Sequence, residues 1–206
     1  MAASLRPVFV TEIYQASLSG ERGFDAFNAE LKDACVMLAA EDQAGRAWCR
    51  TNGYRGYTSY ASLSDLPQRA SVFGDLKRKL DRHAAAYADA LGFDLGSRRL
   101  KLDSLWVNVL TGGGAHSGHI HPNSVLSGTV YVEVPEGSGA LRLEDPRLPL
   151  MMAAPQRRPD APEAQRRFVY LQPQAGMVLM WESWLRHEVL PNAAKTPRIS
   201  LSFNYA

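Results

Sequence analysis

Hydrophobic residues change their spacing once along this chain, near residue 100. Before that point they recur at helical intervals. Phe24, Phe27, Leu31, Ala34 and Leu38 form one stripe, which predicts a helix over 24–40. Val72, Phe73, Leu76, Leu80, His83, Tyr87 and Leu91 form a second and predict a helix over 70–91, with Gly92 as its stop. Ahead of both, PVFVTEIYQ (7–15) is β-branched and aromatic and predicts a strand. Residues 43–70 mix Gly, Ser and aromatics without a period and are expected to be mostly loop.

Beyond residue 100 the period is two. Segments 100–110, 125–134, 140–145, 167–172, 177–182, 186–190 and 198–205 each read as a strand, punctuated by Pro and Gly. The order predicts a mainly β chain with flanking helices (α+β), a sandwich or barrel with helices outside it. A single domain is expected over 1–206, with 1–99 as the helical flank and 100–206 as the core. Three strands carry one polar stripe each. Ser104, Trp106, Asn108 and Leu110 share a face, as do Ser127, Thr129, Tyr131 and Glu133, and Arg198, Ser200, Ser202 and Asn204. These stripes either converge on an interior ligand cavity, with Asn108 and Tyr131 as orienting groups, or face water from an antiparallel sheet.

Composition narrows the classes. The chain has 206 residues, 46% hydrophobic and 21% charged, which excludes global disorder. Lys and Arg number 23 against 21 Asp and Glu, a net charge of +2, which argues against a nucleic-acid partner. Cys35 and Cys49 make no disulfide framework. With no leader-like start and no apolar run near the roughly 20 residues of a membrane span, the expectation is a soluble, cytoplasmic protein.

Chemistry concentrates in the histidines. Of five, His116, His119 and His121 fall within six residues. At i and i+2 on a strand, His119 and His121 project side by side and can converge on one metal. His187 follows the apolar strand MVLMWE and supplies a third imidazole, while Glu188 faces the opposite way. The three together predict a metal site inside a small β-barrel. His83 lies on the apolar helix stripe and reads as a core residue; His116 reads as a supporting or loop residue. The glycines at 112–114 lack the Lys-Ser/Thr of a phosphate loop. Arg198 with Ser200 can grip a carboxylate, or can belong to a solvated strand face.

His119-x-His121, a strand, His187, then Arg198-x-Ser200 resembles the 2-oxoglutarate/Fe(II)-dependent oxygenases. The segments HIHPNSVLSGTVYVEVP, LRLEDPR, GMVLMWESWLRHEVLPN and RISLSFNY are similar to a poorly characterised bacterial and phage subgroup of that superfamily. The resemblance implies a double-stranded β-helix (jelly-roll) core. It implies Fe(II) held by His119 and His187, and 2-oxoglutarate clamped by Arg198 and Ser200. It further implies that 2-oxoglutarate and O₂ are consumed to give succinate and CO₂ while an unknown prime substrate is oxidised, commonly hydroxylated. At His121 the wider superfamily carries a carboxylate, so either His121 or a carboxylate from Asp145 or Glu182 completes the triad. Two other readings compete: a cupin-type metal enzyme without 2-oxoglutarate, and a barrel that binds metal or ligand without turnover. The arginine-rich loop 146–166 is expected either as a lid over the cavity or as a solvated excursion, and the many strand edges admit a homodimer.

Overall fold

The computed structural model describes residues 3–206. Its helices are α1 (Phe24–Glu41), α2 (Gln43–Thr51), α3 (Leu66–Arg69) and α4 (Ser71–Ala90). Its strands are β1 (Tyr14–Ser17), β2 (Gly56–Thr58), β3 (Leu102–Leu110), β4 (His116–His119), β5 (Leu126–Glu133), β6 (Leu141–Glu144), β7 (Phe168–Leu171), β8 (Met177–Glu182), β9 (His187–Val189) and β10 (Arg198–Tyr205). All pair antiparallel, in a six-stranded sheet ordered β1-β8-β5-β10-β3-β2 and a four-stranded sheet ordered β4-β9-β6-β7. No described helix is long and apolar enough to cross a membrane.

Period-two patterning sorts the faces of the large sheet. Leu105, Val107, Val130, Val132, Ile199, Leu201 and Phe203 point to one side and pack with Leu31, Cys35, Phe73, Leu76, Leu80 and Tyr87 of α1 and α4. This is the main core, and it explains why both helices show a single apolar stripe. The opposite faces of β3, β5 and β10, which carry the polar stripes, turn toward the second sheet and line a cavity. A smaller core of Leu110, Leu141, Leu143, Leu179, Trp181 and Val189 sits beside it.

Two expectations are corrected. The strand over 7–15 is confined to Tyr14–Ser17, which pairs with Met177–Met180 of β8. Residues 7–13 find no partner strand, and Phe9 is 94% exposed. Residues 43–70 hold α2, β2 and α3 rather than mostly loop. Asp42 starts α2 by accepting from the Gly45 amide at 2.9 Å and also takes the Tyr57 hydroxyl at 2.8 Å and the Ser62 hydroxyl at 2.5 Å. One carboxylate thus fastens the whole segment to itself.

Candidate metal centre

His119 and His187 sit directly opposite each other in the β4–β9 register. His121 lies two residues past His119, its amide bonded to the Ser183 carbonyl at 3.0 Å. The ring centroids are 4.4 Å apart for His119 and His187, 5.1 Å for His119 and His121, and 5.2 Å for His121 and His187. One ring nitrogen from each lies within 4.8 Å of the other two. No carboxylate joins them among the described residues.

The hydrogen bonds decide which nitrogen each ring offers. Nδ1 of His119 meets the Ser117 carbonyl at 2.7 Å, and Nδ1 of His187 meets the Leu185 carbonyl at 2.9 Å. A carbonyl only accepts, so both rings carry their proton on Nδ1 and leave Nε2 as a lone-pair donor. For His121, Nδ1 meets Asn204 Oδ1 at 2.6 Å. The Asn204 amide is itself oriented, since its Nδ2 donates to Ser104 Oγ at 3.1 Å and its Oδ1 accepts from Ser127 Oγ at 2.8 Å. All three imidazoles are thus held in the tautomer that metal binding needs. Burial pushes the His187 pKa down to about 3, with His119, His121 and His116 adding repulsion. Burial likewise lowers His121, opposed by its bond to Asn204. Neutral rings are the ligating form.

Deeper in the same cavity lies Arg198, only 2% exposed. Its guanidinium donates to the Gly139 carbonyl at 3.1 Å and stands 5.4 Å from the Tyr131 ring. A side chain at Gly139 would collide with the Leu190 carbonyl, so that approach requires glycine. Among the described residues no carboxylate pairs with Arg198. Its Nε, the Tyr131 hydroxyl and the Trp181 indole nitrogen are all buried without a hydrogen-bond partner. Three unpartnered donors around a single cavity, one of them on an uncompensated cation, have the chemistry to receive an anion.

The other sequence-predicted residues fall as follows. Asn108 lines the cavity, accepts from Thr58 Oγ1 at 2.9 Å and donates to Ser202 Oγ at 3.1 Å. Ser200 pairs with Asn108 and Tyr131 in the register and is 1% exposed, but it is not part of the cavity wall. Asp145 is held by Arg147 at 2.9 Å, and neither it nor Glu182 reaches the wall. Glu188 faces away, paired with Arg142 at 2.7 Å. His83 meets the Tyr14 hydroxyl at 2.9 Å, far from the cavity wall. His116 lines the cavity, its Nε2 2.7 Å from the Tyr54 hydroxyl, and burial beside Arg198 lowers its pKa to about 4. Loop 146–166 does not cover this cavity. Its Arg147, Arg157 and Arg166 line a separate groove with residues 5–15.

Sequence reasoning missed Trp181, Tyr54 and Trp48, and it left the polar-stripe residue Asn204 without a role. Trp181 lies on an apolar strand that gives no hint of function, and Tyr54 and Trp48 belong to the segment read as loop. The cavity measures about 670 Å³, enough for a small ligand beside a metal.

Comparison with known proteins agrees with this geometry. Residues 104–204 match the family described as "Putative 2OG-Fe(II) oxygenase". No curated protein matches the sequence. A Pseudomonas putida prolyl-4-hydroxylase structure is 18% identical with a TM-score of 0.61, covering 95% of this chain and 92% of that one. The non-heme alpha ketoglutarate dependent epimerase SnoN from nogalamycin biosynthesis is 15% identical with a TM-score of 0.65, covering 95% and 78%. Its complex with Fe3+, alpha ketoglutarate and nogalamycin RO gives a TM-score of 0.62 at 16% identity, covering 95% and 78%. At such identities these structures speak for the fold. The matched segment 104–204 holds all three histidines and Arg198, so the likeness to the 2OG-Fe(II) oxygenase family falls on the residues that line the cavity.

Proposed function

We propose that the chain is an Fe(II)- and 2-oxoglutarate-dependent oxygenase in which His119, His121 and His187 hold the metal and Arg198 holds the cosubstrate. The observation that carries this reading is the buried, unpaired Arg198 beside three imidazoles with their Nε2 atoms free. The two sheets are read as the faces of a jelly-roll, and residues 3–99 as its brace within one domain. Free, buried Cys35 and Cys49 suit a reducing compartment.

The donor set fits iron: three neutral imidazoles are ligands that Fe accepts readily. With His121 in place of a carboxylate, the centre is one charge unit more positive, which favours a dianionic cosubstrate. When bound, Fe(II) and 2-oxoglutarate supply the oxidising chemistry, one oxygen atom of O₂ passing into succinate and the other to the prime substrate. The protein's own part is placement. Arg198 Nε and the Tyr131 hydroxyl, both buried without a partner, would be satisfied by a carboxylate of the cosubstrate. Asn108 stiffens the floor between Thr58 and Ser202. Trp106 and Trp181, 8% and 3% exposed, keep water away from the centre.

The test is turnover without a prime substrate. The iron-loaded protein should convert 2-oxoglutarate to succinate and CO₂ slowly under air, and His187→Ala should not. Iron bound at one equivalent with no succinate formed would favour the cupin-type reading.

A further inference from the structure

With a metal on the three histidines and a cosubstrate at Arg198, the open side of the cavity would be left for the prime substrate. We infer that this open side binds a neutral, ring-bearing group, aromatic or alicyclic, and discriminates against anions; this rests on the function proposed above.

The first ground is charge. Of the described residues lining the cavity, Arg198 is the one Lys or Arg, and Asp103 the one carboxylate. Once 2-oxoglutarate takes Arg198, an anionic substrate finds no cationic side chain on the open side, while exposed Asp103 repels it.

The second ground is the wall itself. Trp106 and Tyr60 meet edge to face with centroids 5.2 Å apart, and Trp106 lies 6.0 Å from His121. A ring stacked on this pair therefore sits next to the metal ligands. Tyr60 is 64% exposed and Trp48 38% exposed, and both line the cavity, so their rings are open to a ligand there. Both come from residues 48–60, outside the matched segment 104–204. The Asp42 bonds to Tyr57 and Ser62 fix the segment rigidly. Ser104, Asn123 and Ser124 give the rim neutral hydrogen-bonding groups.

The experiment compares two probes that share a ring: neutral indole and anionic indole-3-acetate. Binding is followed by ligand-observed NMR on the full chain with Fe(II) and saturating 2-oxoglutarate under anaerobic conditions. Indole should bind at least fivefold more tightly than indole-3-acetate. Tyr60→Ala should weaken indole about fivefold, the worth of one aromatic pair, and leave the thermal shift caused by 2-oxoglutarate unchanged. Trp106→Leu should weaken indole similarly. Equal or tighter binding of indole-3-acetate, or indole binding untouched by both substitutions, overturns the inference. Failure of the cosubstrate reading is seen separately, as a missing 2-oxoglutarate thermal shift. In that event the same comparison in Arg198→Met, where no cation remains for the acetate, still decides the ring preference.

Discussion

Replacing Arg198 by Met separates stability from function in this cavity. The wild-type chain without cosubstrate buries an uncompensated guanidinium. Its desolvation costs several kcal/mol, about 4 after relaxation. Against this stand one charge-assisted bond to the Gly139 carbonyl, about 2 kcal/mol, and the contact with the Tyr131 ring, about 1 kcal/mol. Roughly 1 kcal/mol of penalty remains, which Met removes while keeping an unbranched stem. For a chain of this size that corresponds to a rise of about 2–4 °C in Tm without cosubstrate. With Fe(II) and 2-oxoglutarate at about 100 times Kd, the wild type should gain about 2.7 kcal/mol, or roughly 5–10 °C, and the variant almost nothing. Anaerobic differential scanning fluorimetry reads both numbers from four samples. A variant that melts several degrees lower without cosubstrate, or that gains the same shift with it, refutes the assignment of Arg198 as an anion-hungry group.

Other consequences follow from the same bonds. Asn204→Leu frees the His121 ring and should lower metal affinity by about 10–100-fold, whereas Asn204→Asp keeps an acceptor for Nδ1 and should hold it, measured by competition with a chromophoric chelator. His121→Asp should restore a two-histidine, one-carboxylate set and retain iron, while His121→Ala should bind it far more weakly. Burial alone would raise the Asp42 pKa, but the Gly45 amide, the Ser62 and Tyr57 hydroxyls and Arg69 hold it below the ordinary value. Its stabilisation is therefore complete above about pH 4 and lost as pH falls through the lowered native value. Asp42→Ala should cost about 1–2 kcal/mol at pH 7 and less at pH 3, seen in urea unfolding.

The strands after residue 100 were legible because alternation survives where one face meets helices and the other a cavity. Ser202 and Asn204 stood out as polar residues on a strand whose other face is Leu201, Phe203 and Tyr205, and both line the cavity. The histidine cluster was legible for a simpler reason: His119 and His121 are two residues apart. That His187 lies opposite His119 is a matter of register, which no local pattern encodes. Residues 7–13 misled because β-propensity needs a partner strand, and the pairing of β1 with β8 ends at Tyr14. Residues 43–70 hid β2 because it depends on an edge of β3, which only tertiary contact supplies, whereas the Asp42 cap of α2 is a local signal that the missing period obscured.

The central claim is that one iron sits on three histidines next to a cosubstrate held by Arg198. Anaerobic titration of 2-oxoglutarate into the Fe(II)-loaded protein tests it most directly. The account predicts a visible charge-transfer band that saturates at one equivalent, weakens strongly in Arg198→Met and vanishes in His187→Ala. Iron bound at one equivalent with no band at any 2-oxoglutarate concentration would contradict it.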